Sequence, residues 1–289
     1  GKQKNMQMLK RDNSTCNQKQ TIKLHKYLYN KQIILGKGAL SVVYKGIDES
    51  TKEIIAIKKI KKKSLTTEYM IDSLLNEIKL HREIQCENIV RMKDSFQTND
   101  HIYIILEYCN SGSLRALMNN QKRFQEKDAI KIISQIILGL DALNSQNIIH
   151  RDLKPENILC HKQDGSLILK ICDLGYSKMI STKDEMLQSS IGSLQYMDLH
   201  RLLGDRYSFK SDIFSLGIIF YELLFGEVPW KGSNLEEYRL LLITKPLIIP
   251  DQNISEATIS FLKKALAISE DERMSWEEVK RHEIFHLRE

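Results

Sequence analysis

Apolar residues change their period part-way along the chain. Between residues 29 and 107 they cluster in short stretches at 29–35, 41–48, 54–59, 91–96 and 101–107, rich in β-branched and aromatic side chains, which predicts strands. One amphipathic helix over 66–83 interrupts them, with Met70, Leu74, Ile78 and His81 at steps of four, four and three. Beyond Ser111-Gly112-Ser113 the period lengthens. Ile130, Ile133, Ile137, Leu140 and Leu143 mark a helix over 126–145, and the almost wholly apolar Phe209–Phe225 predicts a buried central helix ended by Gly226 and Pro229. Asp164-Gly165, between apolar runs at 158–160 and 167–171, is a hairpin signal. There is no internal repeat. The pattern predicts a small β-rich lobe with one main helix, a connector near 107–112 and a larger, mostly helical lobe.

Composition narrows this picture. A chain of 289 residues with 42% hydrophobic content can bury a substantial core. Its longest apolar run, 215–225, contains Glu222 and falls short of the about 20 residues that a spanning helix needs. The polar N-terminus is unlike a secretory signal, so no transmembrane segment and a cytoplasmic location, with the nucleus as the alternative, are expected. Cys16, Cys86, Cys109, Cys160 and Cys172 form no CxxC pair and are expected as reduced thiols. Residues 1–26 carry seven Lys or Arg against the single acid Asp12, which accounts for the whole net charge of +6. This basic polar extension is expected to be a disordered, solvated tail rather than a specific nucleic-acid or membrane contact.

The candidate chemistry is concentrated in His150-Arg151-Asp152-Leu153-Lys154-Pro155-Glu156-Asn157, with Asp173-Leu174-Gly175 following one hairpin later. Asp152, Asn157 and Asp173 are an oxygen-rich set suited to positioning a hydroxyl and holding Mg²⁺ against phosphate. Upstream, Gly36-Lys37-Gly38 lies between two predicted strands, where backbone without bulky side chains can approach phosphates. In Ile55-Ala56-Ile57-Lys58 the strand alternation sets Lys58 on the same face as the small Ala56.

That order and spacing resemble the catalytic loop and metal-binding turn of eukaryotic protein kinases, a resemblance that covers about 29–285. It implies an α+β, bilobal protein-kinase-like fold with an ATP cleft between the lobes. The kinase domain would occupy 27–286, as an N-lobe over 27–107, a hinge over 107–112 and a C-lobe over 113–286. Around the nucleotide it implies Leu35, Gly36, Gly38, Val43, Ala56, Lys58, a gatekeeper at Leu106, and backbone recognition at Glu107 and Cys109. Lys58 would contact the phosphates and pair with Glu77. His81, one turn beyond Glu77, is expected to pack. Asp152 would act as catalytic base, Lys154 would neutralise the transferring phosphoryl group, and Asn157 and Asp173 would hold Mg²⁺. Leu174 stands where Phe is usual, as an apolar plug. Asp212 would hold the catalytic-loop backbone.

Lys154 and Ser193 point to the serine/threonine branch. The implied activity is transfer of the ATP γ-phosphoryl group to Ser or Thr of proteins, with a nucleotide-binding pseudokinase as the alternative. Ser189 and Ser190 are candidate phosphosites, for an upstream kinase or autophosphorylation, that Arg151 could read. Glu156 and Glu222 occupy positions able to receive basic substrate side chains, whereas Ser113 replaces an acid. Glu77-Ile78-Lys79-Leu80-His81 resembles polo-like kinases, and Glu107-Tyr108-Cys109-Asn110 resembles the Unc-51-like group. The largest departure is Asp198-Leu199-His200 in place of Ala-Pro-Glu. His200 cannot supply the carboxylate that pairs with a C-terminal arginine, here Arg273, so either Asp198 takes that partner or the segment is loose.

Overall fold

A computed structural model describes residues 20–38, 40–174, 194–204, 208–250 and 253–288, which fall into two compact units. The first comprises the described part of 1–82 together with 91–108. Its sheet holds β1 (Thr21–Leu24), β2 (Tyr27–Lys37), β3 (Ser41–Asp48), β4 (Ile54–Lys61), β5 (Met92–Gln97) and β6 (His101–Glu107), in the order β1-β2-β3-β4-β6-β5. All neighbours are antiparallel. Among its described residues one α-helix, α1 (Glu68–Glu83), accompanies the sheet.

Alternation along β4 and β6 buries Ile55, Ile57, Tyr103 and Ile105 in one cluster with Tyr27 and Tyr29 from β2. The opposite face of β4 carries Ala56 and Lys58. Gly46 in β3 is required by close approach, because a Cβ there would lie 2.7 Å from the Leu28 carbonyl oxygen and 2.8 Å from Ile57 Cδ1. The expected disordered extension over 1–26 is corrected at its end. Thr21–Leu24 pairs with Tyr27 to Asn30 as an added edge strand, and Ile22 and Leu24 pack against the aromatic cluster. His81 is buried, as its packing role required.

The second unit takes 83–90 and the described part of 109–289. It contains α2 (Leu114–Gln121), α3 (Glu126–Ser145), β7 (Ile158–Gln163), β8 (Ser166–Ile171), α4 (Leu199–Leu203), α5 (Phe209–Phe225), α6 (Leu235–Thr244), α7 (Glu256–Ala265) and α8 (Trp276–Arg281). Helix α5 is buried almost all round, starts at the Ser208 cap and stops at Gly226 in the left-handed conformation, φ 79°. Helix α3 packs so closely that a Cβ on Gly139 would lie 2.7 Å from the Asn88 carbonyl oxygen and 2.8 Å from Ile171 Cδ1. Asn88 in turn clasps β8: its Nδ2 donates to Leu169 O at 2.9 Å, and its carbonyl accepts from Ile171 N at 2.8 Å. The two β8 contacts fix where the chain after Ile171 emerges. Burial pushes the Cys160 thiol up to about 11, which keeps it protonated and inert.

Candidate active site

In the first unit, strand register brings the expected nucleotide residues onto one face. Gly36 pairs with Val43, Val43 with Lys58, and Ala56 with Leu106. Paired residues in an antiparallel ladder point to the same side, and Ala56 and Lys58 are two apart, so Val43, Ala56, Lys58 and Leu106 share that face. The β2–β3 turn is closed by Gly38 N donating to Ser41 O at 2.9 Å, with Leu35 exposed just before it. Lys58 is buried. At the end of β6, Glu107 returns its carboxylate to Arg91 N at 2.6 Å and its own N–H to Arg91 O at 3.0 Å, anchoring that strand end. Glu77 lies on α1, and its side chain, with the expected pair to Lys58, lies outside the described residues. Cys109 opens the second unit's main segment and is half-buried.

In the second unit the catalytic-loop residues converge. Asp152 Oδ2 receives Lys154 Nζ at 3.0 Å and Asn157 Nδ2 at 3.1 Å, and Asn157 Nδ2 also donates to the Asp152 carbonyl at 2.7 Å. Both donors leave Asp152 aimed and held between a cation and an amide. Pro155 starts the short turn Pro155–Asn157, where its fixed φ suits the first position, and Asn157 N closes it on Lys154 O at 2.9 Å.

The hairpin then does the positioning. Asp164 and Gly165 both adopt positive φ, 50° and 80°, as a type I′ turn requires, and the pairing runs from Gln163 with Ser166 to Ile158 with Ile171. The two ends therefore meet: Cys172 N donates to Asn157 O at 2.9 Å, which sets Asp173 beside Asn157. His150 completes the clamp. The Cys172 carbonyl can only accept, so His150 Nε2, 3.0 Å away, carries the proton, and Nδ1 accepts from Asp152 N at 3.2 Å.

Arg151 and Asp173 sit at φ 68° and 60°, a left-handed conformation that costs a non-glycine residue about 1 kcal/mol or more. The strain at Arg151 is held by Asp212 at the start of α5, whose Oδ1 accepts Arg151 N at 3.1 Å and whose Oδ2 accepts His150 N at 2.8 Å. Burial pushes the Asp212 carboxyl above its ordinary range, while the His150 and Arg151 amides and the Arg201 charge pull the other way. Leu174 is buried, as an apolar plug should be.

The departure at Asp198-Leu199-His200 is resolved by a different acid. Asp198 and Arg273 are fully buried, with Arg273 Nη1 2.7 Å from Asp198 Oδ2. The guanidinium is otherwise satisfied by the carbonyls of Ala267 (3.0 Å), Lys210 (2.9 Å) and Ile268 (3.3 Å), and it lies 4.9 Å over the Phe214 ring. Asp198 also caps α4 through Arg201 N at 3.0 Å and accepts Ser211 Oγ at 3.0 Å. Ser113 has a local reason: it caps α2, accepting Ala116 N at 3.3 Å. Ser189, Ser190 and Ser193 lie outside the described residues.

A loop of this geometry, strained, gripped from below by a buried aspartate and joined to a second acid by a tight hairpin, coincides with a family match. The family described as Protein kinase domain matches residues 29–285. The chain belongs to that family.

Several of its relatives are named serine/threonine-protein kinases. The kinase is 32% identical over 250 residues to a probable myosin light chain kinase of Dictyostelium discoideum, covering 86% of this chain and 70% of the relative. It is 34% identical to the serine/threonine-protein kinase ATG1a of Arabidopsis thaliana, covering 69% and 32%, and 31% identical to human serine/threonine-protein kinase ULK1, covering 89% and 25%. The kinase thus spans a third or less of the length of the latter two. Reading the sequence missed Arg115 and Tyr196, which join Glu156 and Glu222 in one network. Their partners lie 26 to 107 residues away, so no local spacing marks them.

Proposed function

We infer that this kinase is active and transfers the γ-phosphoryl group of ATP to serine or threonine hydroxyls of proteins. The supporting observation is the Asp152 carboxylate, held at 3.0 Å by Lys154 and at 3.1 Å by Asn157 on a loop that Asp212 clamps. Asp152 would orient the acceptor hydroxyl and take its proton, and Lys154 would offset charge on the transferring group. Lys58, on the face shared with Val43, Ala56 and Leu106, would engage the nucleotide phosphates.

Asn157 and Asp173 fit Mg²⁺ by donor chemistry. The Asn157 amide nitrogen is committed to Asp152, which leaves its side-chain oxygen as the available ligand atom, and the hard oxygen donors of Asn157 and Asp173 suit that ion. Bound Mg²⁺ would neutralise phosphate charge during transfer. The pseudokinase alternative drew its support from Asp198-Leu199-His200, and the Asp198–Arg273 pair removes that support.

The kinase domain is read as 27–286, with Ser189 and Ser190 as sites where phosphorylation would raise activity, read by Arg151. A cytosolic or nuclear location is part of the same reading. Among the described residues no helix is long and apolar enough to cross a membrane.

The test is Mg·ATP-dependent phosphate incorporation into a generic protein substrate and into the chain itself, for wild type, Asp152→Asn and Lys58→Met. Asp152→Asn is expected to lose roughly 100-fold or more of the rate. Equal incorporation by wild type and Asp152→Asn would overturn the reading.

A further inference from the structure

Two carboxylates beside the catalytic loop already hold an arginine, and it comes from the protein itself. Glu156 lies in the turn Pro155–Asn157, next to the asparagine that grips Asp152, and its side chain is 46% exposed. Glu222, near the end of α5, is 12% exposed. Arg115 of α2 spans both. Its Nε donates to Glu156 Oε1 at 2.7 Å, while Nη1 and Nη2 form a fork on Glu222 Oε1 and Oε2 at 2.7 and 3.2 Å. Nη2 also donates to the Tyr196 hydroxyl, which donates onward to Glu222 Oε2 at 2.5 Å.

All three guanidinium nitrogens are thus engaged, two of them in a bidentate, charge-assisted pair. Burial works against the charge on Arg115, but Glu222, Tyr196 and Glu156 more than reverse this and hold it firmly protonated. Burial and the Glu222 charge likewise keep the Tyr196 phenol protonated, so it serves as the donor that closes the ring of contacts.

The geometry points to Arg115 as a specificity-determining residue that fills the acidic recess from within, so that the kinase gains nothing from a basic side chain there in its protein substrate. This rests on the kinase reading above. A substrate arginine would have to displace a tethered group whose local concentration far exceeds that of any free peptide. It would also strand the displaced guanidinium, itself only 24% exposed, away from both acids. Removing Arg115 would leave two carboxylates and a phenol facing one another with no cation, the arrangement that recruits an incoming arginine.

The experiment uses serine peptides in which a single arginine is moved through the positions before the acceptor, each compared with its alanine counterpart by kcat/KM, for wild type and Arg115→Met. Methionine keeps an unbranched apolar stem and removes the charge. Wild type is expected to show no arginine preference at any position, and Arg115→Met to gain on the order of tenfold at one of them. Adding Glu222→Gln to Arg115→Met should take that gain away.

An arginine preference in wild type that Glu222→Gln or Glu156→Gln abolishes overturns the proposal, even if Arg115→Met fails to fold. So does an unchanged ratio in a folded Arg115→Met. If wild type phosphorylates no peptide, the kinase reading falls. Anisotropy of a labelled single-arginine peptide then decides this one: tighter binding to Arg115→Met supports it, and equal affinity overturns it.

Discussion

Asp198 and Asp212 are both buried aspartates that begin or cap a helix, yet they are neutralised in different ways. Asp198 meets a full positive charge, the Arg273 guanidinium at 2.7 Å, plus the Ser211 hydroxyl and one backbone amide. Asp212 meets two backbone amides, His150 N at 2.8 Å and Arg151 N at 3.1 Å. The first arrangement is a cross-link between distant segments, 75 residues apart in the chain, and its failure would strand a buried cation. The second fixes a strained loop on which Asp152 stands. Burial is shared, but consequence is not: one aspartate should be felt in stability and the other in rate.

Removing Asp198 makes the largest break. Asp198→Ala leaves Arg273 buried without a carboxylate and should cost about 3–5 kcal/mol. At about 2–4 °C per kcal/mol for a domain of this size, thermal melts should shift by several degrees or more. Arg273→Met should also destabilise. The double variant Asp198→Ala/Arg273→Met should lose clearly less than the sum of the two, because no charge is then stranded. An Asp198→Ala protein that melts with wild type would mean that the pair does not hold this segment, and the comparison with Asp212 would collapse.

Asp212→Asn comes next and should divide its effect the other way. The amide keeps one acceptor and turns an N–H toward a backbone N–H, so the loop carrying Asp152 must shift. A displacement of about 1 Å at a catalytic group can cost roughly 100-fold in rate. We expect kcat to fall by that order while the melting temperature moves less than in Asp198→Ala. Initial rates at saturating ATP beside melts of the same preparations check this. A melting loss exceeding that of Asp198→Ala, with kcat retained, would reverse the two roles.

The same contrast explains what could be read in the sequence. His150 to Asn157 was legible because its chemistry lies within one loop, where spacing alone sets which groups meet. Asp164-Gly165 was legible because its positive φ angles demand those residue types, and the hairpin it forms carries Asp173 to Asn157. The Asp198–Arg273 pair was legible only as a deduction, from a carboxylate missing at His200. The edge strand Thr21–Leu24 was hidden because four alternating residues are outweighed by the basic arm around them. It forms because Ile22 and Leu24 complete the cluster of Tyr27, Tyr29, Ile55 and Ile57, a tertiary gain that periodicity cannot register. Arg115 was invisible for the same reason, since nothing near it in sequence shows which acids it meets.

A third carboxylate sharpens the comparison at its weak end. Glu126, in the first turn of α3, accepts Ser255 N at 2.9 Å and Ser255 Oγ at 2.6 Å, gripping the cap of α7 much as Asp212 grips the catalytic loop, but half in solvent. Partial burial alone would raise its pKa, but the Ser255 hydroxyl, Thr258 and the Ser255 amide outweigh this and hold it below the ordinary value. A carboxyl with a depressed folded-state pKa contributes its stability above the unfolded value of about 4.3 and loses it as pH falls through the folded value. Glu126→Gln should therefore cost about 1 kcal/mol near neutral pH. The gap from wild type should close as urea melts are repeated toward and below pH of about 4. A gap that stays constant down the pH series would mean that the contact does not depend on the Glu126 charge. Gripping backbone amides would then matter by shape alone, for Glu126 and by extension for Asp212.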